Sequence, residues 1–421
     1  MNLGFLGLQF SFGLQQGQVG PIYSYLGAHE DKLPILSLAG PLTGLIIQPI
    51  IGVLSDRTLS RWGRRTPYFV TGAIMCSVGL FFMPFSASLL MAVSMLWVMD
   101  IGNNTTMEPY RAYVSDRLNP DQHQIGFLSQ SAFTGLGQML AFMAPLVLVY
   151  FGMNKDAVDA HHIPYTTHIA FFTGAALSLT TVLWSVFSVR ELPLSDAQRA
   201  EIAKTPMSVW ATFKEIWDAV VAMPIPMRKL AVMSLFQWYA FGAYWTYVIY
   251  SIGRSVFHTA TPNSPAFHDA TLANDGMAAF YNGVAFVGAF AMVGLTKRFG
   301  PKRMHAVWLV CAGIGMMLIP QVHNQWWLFL PAVGVGLGWA SIMGNPYVML
   351  AGCIPPARTG VYMGIFNMMI VIPMLINAAT LPILYRGVLH NDPRNALMLA
   401  GVLLVCAAVA VLQVKDSELA A

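Results

Sequence analysis

Twelve apolar stretches of about 20 residues follow one another along the chain, and such stretches are typical of transmembrane helices. They are centred near Leu14, Leu45, Cys76, Leu96, Gln138, Ala176, Gly242, Val287, Cys311, Gly338, Met369 and Leu403. A soluble domain carries roughly 25% charged residues, whereas 10% of these 421 residues are charged. The pattern predicts an all-α polytopic membrane protein with twelve transmembrane helices, and it argues against a large soluble helical protein.

The Lys and Arg residues favour one orientation in the bilayer. Of the 23, five lie on one side and Arg111 lies inside a span, which leaves 17 on the other side. The five are Lys32, Lys155, Arg254, Arg386 and Arg394. By the positive-inside rule the richer side is cytoplasmic, so we expect both termini in the cytoplasm. The net charge of +4 is then a topology signal and does not indicate a nucleic-acid partner.

Two pairs of sequence landmarks indicate an internal duplication. The pairs are Arg61-Trp62-Gly63 with Arg298-Phe299-Gly300, and Pro109-Tyr110 with Pro346-Tyr347. Both are separated by 237 positions, as expected for two six-helix units of the same topology. The predicted units are a bundle at 1–189, a cytoplasmic linker at 190–228 and a bundle at 229–421. Within the linker, Trp210, Phe213 and Trp217 recur at helical spacing. This predicts an amphipathic helix on the membrane surface, with a soluble packing helix as the alternative.

A polar segment, DIGNNTTMEPYRAYVSD at 100–116, interrupts the fourth span. On a helical wheel Asp100, Asn104, Glu108 and Arg111 fall within about 80° of one another, so they form one stripe. If Asp116 marks the cytoplasmic boundary, Asp100 lies about 24 Å deeper. The residues 237 positions after Asp100, Glu108, Arg111 and Asp116 are Leu337, Asn345, Val348 and Cys353. Because the second copy lacks the charges, we attribute them to function rather than to a requirement of the fold.

Asp100 differs from Glu108 in its neighbours. Asp100 is about 16 Å from Arg111 along the helix axis and has no cation within one turn. A desolvated carboxyl group without a partner can take up and release a proton near neutral pH, which makes Asp100 a candidate proton carrier. Glu108 can pair with Arg111 at i,i+3 spacing, or it can share the proton. The planar guanidinium of Arg111 suits hydroxyl or carboxylate oxygens of a substrate.

Amide side chains lie in several apolar spans and outline a polar cavity. They are Gln9, Gln15, Gln16 and Gln18 in the first span, Asn104 in the fourth, Gln138 in the fifth, Asn282 in the eighth and Asn367 in the eleventh. A single amide in a transmembrane span more often forms a hydrogen bond to a neighbouring helix than a contact with a ligand. Together, many neutral donors and acceptors suit a polyhydroxylated neutral solute. The sequence contains neither a nucleophile–base set nor a metal-ligand cluster, so we expect no enzyme, metal or other cofactor.

The loop after the second span predicts a second polar cluster, which we name the cytoplasmic gate cluster. Its members are Asp56, Arg57, Arg61, Arg64, Arg65 and Asp116. Ion pairs among them could hold the two halves together while the substrate site faces outward. Positive charge that only sets the topology is the alternative explanation.

Five segments resemble the major facilitator superfamily and, within it, the glycoside–pentoside–hexuronide:cation symporters. The segments are LQFSFGLQQ (8–16), AGPLTGLIIQPIIGVLSDRTLSRWGRRTPYF (39–69), MDIGNNTTMEPYRAYVSD (99–116), GNPYVMLA (344–351) and GVYMGIFN (360–367). The similarity is to the branch of plant sucrose–proton symporters and their bacterial relatives. Two features depart from the plant members: Glu108 stands where they carry glycine, and the seventh span has no acidic residue.

The resemblance implies two pseudo-symmetric six-helix bundles and uptake of a neutral disaccharide with a proton. It implies that Asp100 serves proton coupling and sugar binding, and that Arg111 contacts the substrate. Sucrose, maltose and other α-glucosides all fit this expectation. The short termini suggest a protein of a bacterial inner membrane, and we expect a monomer. A sodium-coupled glycoside symporter and a membrane sugar sensor without transport activity are the alternatives.

Overall fold

The computed structural model describes residues 2–119, 123–189, 191, 200, 221, 223–351 and 359–414. The first long segment combines an α-helix (Leu3–Leu14), a π-helix (Gln15–Val19) and an α-helix (Gly20–Tyr25), which together form span one. Spans two to twelve are Ala39–Arg57, Thr66–Phe82, Leu89–Arg117, His123–Tyr150, Tyr165–Ser188, Ile225–Ser255, Pro265–Phe299, Pro301–Leu318, Phe329–Ala351, Thr359–Gly387 and Pro393–Leu412.

The predicted fold class is confirmed, because each of the twelve predicted centres lies inside a different one of these segments. Within the described residues, nine segments are long and apolar enough to cross a membrane. The other three are spans one, four and seven. Spans one and four carry most of the polar residues that the sequence placed inside the bilayer. The protein is therefore a multi-pass helical membrane protein.

The helices pack in the same order in both halves. In the first half, span one packs on spans five and six, span two packs on span four, and span three packs on spans four and six. In the second half, span seven packs on spans eleven and twelve, span eight packs on span ten, and span nine packs on spans ten and twelve. The two halves meet where span five packs on span eight and span two packs on span eleven. The boundaries 1–189, 190–228 and 229–421 stay a prediction. The predicted amphipathic helix around Trp210, Phe213 and Trp217 lies outside the described residues.

Two irregular features of the backbone are functionally informative. The π-helix of span one contains Gln15, Gln16 and Gln18, and π-helical turns inside α-helices are frequent at functional sites. Pro109 and its counterpart in span ten both lie inside their helices, where a proline removes one backbone hydrogen bond and permits a bend. Neither the π-helix nor its position was predicted from the sequence.

Polar contacts join the two halves at one end of the bundle. They are Gln18–Asp275, Ser24–Tyr250, Glu30–Arg254, Glu30–Tyr385, Asp31–Arg386, Lys155–Asp269 and Asp156–His268. Lys155, Arg254 and Arg386 belong to the cations that the sequence places outside, so this is the predicted outer end. The structure therefore has the predicted outer ends of the two halves in contact.

Candidate functional site

The polar stripe of span four lies against span two. Asp100, Asn104 and Glu108 recur at every fourth residue and therefore share one face of the helix. A Cβ atom added to Gly40 would lie 3.6 Å from Asp100 Oδ2, and one added to Gly52 would lie 3.6 Å from Glu108 Cγ. Small residues at such contacts let two transmembrane helices approach closely. Glycines of span two thus leave room for both acidic side chains.

A chain of amides connects span four to the second half of the protein. Asn104 Nδ2 donates to Thr43 Oγ1 at 3.0 Å and to the Asp100 carbonyl at 2.9 Å. Asn104 Oδ1 accepts from Gln48 Nε2 at 2.6 Å, and Gln48 Oε1 accepts from Asn367 Nδ2 at 3.3 Å. Spans four, two and eleven are therefore linked next to Asp100. A movement of one half relative to the other would have to break or rearrange the Gln48–Asn367 bond.

Asp100 is a buried acid with neutral neighbours. Its residue surface is 2% exposed, and it forms no ion pair with any residue that the structure describes. The side chain of Gln15, from the π-helix, lies beside its carboxyl group. Gln15 Nε2 itself has no hydrogen-bond partner in the described part of the chain. A charge buried without a cation is costly, which is the property required of a residue that binds and releases a proton.

The remaining predicted amides fall into two groups. Gln138 Nε2 donates to Gln9 Oε1 at 3.0 Å, so these two buried side chains satisfy each other between spans five and one. Asn282 Nδ2 donates to the Ala278 carbonyl of its own helix at 3.0 Å. Among the described residues, Asn282 Oδ1 and Gln16 Oε1 are buried without a partner. Gln16 and Asn282 therefore retain acceptor atoms that a ligand could use. Gln9 and Gln138 would first have to break their mutual hydrogen bond before either could bind a ligand through these atoms.

Glu108 and Arg111 are not paired in this structure. Both side chains are half-buried, and across the described ranges neither forms an ion pair or a hydrogen bond. The i,i+3 pair that the sequence allowed is therefore not formed in this conformation. Arg111 keeps all of its donors for another partner. Its role as a substrate contact and the role of Glu108 in proton binding stay predictions.

Arg65 is the centre of the cytoplasmic gate cluster. Its side chain is buried, with Nε 2.8 Å from Asp116 Oδ2, one terminal nitrogen 2.5 Å from Asp56 Oδ1 and the other donating to Ser55 Oγ at 2.8 Å. Arg64 lies 2.6 Å from the second oxygen of Asp116. All of these partners belong to the first half. The predicted contact of this cluster with the second half, in an outward-facing state, stays a prediction.

The other two members of the cluster are less informative. Arg61 is exposed, and its guanidinium lies 5.5 Å from the centre of the Trp62 ring. The side chain of Arg57 is outside the described part of the structure.

Glu191 completes the cluster from the end of span six. Its carboxylate accepts hydrogen bonds from three backbone N–H groups at the start of span three. The N···O distances are 2.8 Å for Arg64, 2.8 Å for Arg65 and 2.5 Å for Thr66. An anion at a helix N-terminus satisfies the unpaired N–H groups and the helix dipole. Gly63 lies beside it with φ +106°, a conformation that favours glycine.

Gly63→Ala is expected to destabilise the protein. The alanine would have to adopt the positive φ, and its Cβ would lie 2.6 Å from Glu191 Cδ. We expect a cost of about 1–3 kcal/mol, seen as a lower midpoint of thermal unfolding in detergent. Gly27→Ala is the matched control, because Gly27 has φ +88° and no atom within 4 Å of its Cβ position. Equal midpoints for the two variants would show that the Glu191 contact has no effect.

An apolar cavity of about 680 Å³ lies apart from this polar site, between spans five, eight and ten. Met139, Phe280, Gly283 and Leu337 are among its lining residues, and none of the predicted site residues is. A lining without polar groups cannot hydrogen-bond a sugar. The cavity does not belong to the candidate site.

Comparison with known proteins establishes the family. The family model of the Major Facilitator Superfamily matches residues 2–376. The chain belongs to the major facilitator superfamily. Solved structures show the same fold: the nucleoside transporter NupG superposes with a TM-score of 0.72 over 99% of both chains at 14% identity. A POT family transporter gives 0.71 over 98% of this chain and 94% of its own at 15% identity.

Curated relatives of this superfamily member include sugar transporters. It is 22% identical to the sucrose transport protein SUT5 of Oryza sativa subsp. indica, over 84% of this chain and 68% of that protein. It is 23% identical to the sucrose transport protein SUC4 of Arabidopsis thaliana, over 88% and 80%. It is 22% identical to the general alpha-glucoside permease of Schizosaccharomyces pombe, over 60% of this chain and 47% of that protein. The predicted resemblance is confirmed, and the protein is a membrane transporter rather than an enzyme.

Three polar residues inside the spans were not assigned to the site from the sequence. Gln48 bridges Asn104 and Asn367, and Asn103 Oδ1 accepts a hydrogen bond from Ser11 at 2.9 Å. Asp275 lies buried in span eight. Each is a polar side chain inside an apolar stretch, so the same signal that selected Gln138 could have selected them. Their partners, however, come from distant parts of the chain.

Proposed function

We propose that this transporter takes up a neutral disaccharide together with a proton by alternating access. Sucrose, maltose or another α-glucoside is the substrate, and Asp100 binds the coupled proton. The observation that carries the proposal is the buried Asp100 carboxyl group, which has no cationic partner among the described residues and lies beside the amide chain that links the two halves. Protonation at this position can therefore change both sugar binding and the contact between the halves.

The chemistry of the site supports a sugar as the substrate. Gln16 and Asn282 offer acceptor atoms and Gln15 offers a donor. Arg111 offers further donors, and the amide chain offers both donors and acceptors when its hydrogen bonds open. Hydroxyl groups of a sugar can use donors and acceptors of this kind without bringing a charge into the bilayer. The names of the relatives from rice, Arabidopsis and fission yeast support the same substrate class.

The contacts at the predicted outer end support an inward-facing conformation. With that end closed, the site would open toward the side that carries most of the Lys and Arg residues. The excess of Lys and Arg on that side supports the proposal that both termini are cytoplasmic. We further propose that the protein is a monomer and that it resides in the inner membrane of a bacterial cell.

Uptake by purified protein in proteoliposomes tests this function. Labelled sucrose, maltose and other α-glucosides are offered under an inward proton gradient, an inward sodium gradient or no gradient. We expect accumulation of at least one sugar under the proton gradient alone. With one proton per sugar, each pH unit supports up to about tenfold accumulation.

Three other results would contradict parts of the proposal. Accumulation that requires sodium and ignores pH would assign the coupling to sodium. Equilibration without accumulation under either gradient would make the protein a facilitator. Sugar binding without any flux into sealed vesicles would indicate a membrane sensor.

A further inference from the structure

Asp275 of span eight is a second buried acid, and like Asp100 it lies beside the π-helix of span one. It has no measurable exposed surface. Its Oδ2 accepts a hydrogen bond from Gln18 Nε2 at 2.7 Å, and its Oδ1 has no partner among the described residues. A Cβ atom added to Gly17 would lie 3.0 Å from that Oδ1, so the π-helix of span one packs directly against the acid. The same π-helix thus contacts both buried acids, Asp100 through Gln15 and Asp275 through Gln18.

The Gln18–Asp275 contact joins the two halves at the predicted outer end. Gln18 Oε1 also accepts from Thr167 Oγ1 of span six at 3.1 Å, which fixes the amide so that its nitrogen faces Asp275. A cavity of about 20 Å³ lies next to the contact, and Asp275, Gln18, Thr167 and His268 are among the residues that line it. A space of this volume is sufficient for about one water molecule.

The described ionisable groups around the acid are already paired or are neutral. They are Tyr25 of span one, Lys155 and Asp156 of the loop after span five, and His268 and Asp269 of span eight. Lys155 pairs with Asp269 and lies 3.9 Å from Asp156. His268 Nδ1 lies 3.1 Å from Asp156 Oδ1, and His268 Nε2 is buried without a partner in the described residues. None of these groups forms an ion pair with Asp275 in the described structure.

We propose that Asp275 is a second proton-binding residue, and that its protonation permits the outer ends of the two halves to close. When the outer end is open, Asp275 faces water at the separated interface and its charge is hydrated. Closure removes that water except for the space of about one molecule, and among the described residues it leaves one hydrogen bond, from Gln18. An ionised carboxylate buried with so little compensation is costly, whereas a neutral carboxylic acid is not.

The proton comes from the outside solution and adds to a carboxylate oxygen of Asp275; no other bond forms or breaks. Because the closed form binds this proton more tightly than the open form, lowering the pH shifts the population toward the closed form. The proton returns outward when the outer end reopens. Asp275 therefore makes closure depend on external pH without adding a transported proton, which separates its role from that of Asp100.

Distance measurements between the outer ends test this inference. Nitroxide labels are attached to cysteines that replace the exposed Ala160 and Asn263, one in each half, after the four native cysteines have been replaced. Distance distributions are recorded without sugar from pH 5 to pH 9 in lipid nanodiscs. We expect the population with the short outer distance to grow as the pH falls. In Asp275→Asn, which keeps the acceptor for Gln18, the short distance should predominate at every pH.

His268→Gln is the control, because His268 lines the same cavity and a glutamine can retain the hydrogen bond to Asp156. It should keep the pH dependence. The inference is overturned if the unsubstituted protein shows no pH dependence, if Asp275→Asn keeps it, or if His268→Gln alone removes it. The inference rests on alternating access but not on the sugar. If the uptake assay shows no sugar transport, the distance measurements still test the role of Asp275. If the distances do not depend on pH, the proposed role of Asp100 in sugar uptake is unaffected.

Discussion

Asp100→Asn should abolish the accumulation of sugar driven by a proton gradient, while exchange of labelled for unlabelled sugar continues. Asparagine has nearly the shape of a protonated aspartic acid, so it should preserve the packing against Gly40 and the neighbouring Asn104. It cannot bind or release a proton near neutral pH. A carrier locked in this state can return only with sugar bound, so a gradient of protons no longer performs work on the sugar. Uptake and counterflow in the same proteoliposomes measure both activities.

The control for this variant is the unsubstituted protein with a protonophore. Neither preparation should concentrate the sugar, and both should retain counterflow. A variant that still concentrates sugar when the outside is acidified would exclude Asp100 as the site of the coupled proton. Glu108→Gln should be tested in parallel, because a complete loss of accumulation there would transfer the role to Glu108.

Much of the fold and part of the site could be predicted from local sequence. Transmembrane helices are set by runs of apolar residues, so every predicted span centre lies in its own helix. The polar stripe of span four was predicted equally well, since the spacing of Asp100, Asn104 and Glu108 fixes a common face within one helix. Such predictions need only the geometry of a single element.

The missing features depend on contacts between distant segments. Glu191, at the end of span six, accepts hydrogen bonds from the backbone at the start of span three. Gln48 of span two forms hydrogen bonds with Asn104 of span four and Asn367 of span eleven. The π-helix of span one has no clear sequence signal. Only the assembled bundle therefore shows that Gln15 and Gln18 face two different buried acids.

Arg111→Lys should weaken sugar binding strongly without destabilising the protein. In the described structure Arg111 has no ion pair or hydrogen bond, so the substitution removes no contact that holds the fold. If the guanidinium donates two parallel hydrogen bonds to the sugar, a lysine can replace at most one of them, and the loss is about 1.5–3 kcal/mol. The apparent KM for uptake should then rise about tenfold to a hundredfold.

Two matched variants decide whether Arg111 acts on the substrate or on the structure. Arg61→Lys changes an exposed arginine that contacts the neighbouring Trp62 ring, so KM and the unfolding midpoint should both stay unchanged. Arg65→Lys changes a buried arginine with partners on Asp56, Asp116 and Ser55, so the unfolding midpoint should fall. If Arg111→Lys behaves like Arg65→Lys, with a lower midpoint and an unchanged KM, then Arg111 supports the helices in another conformation and does not bind the sugar.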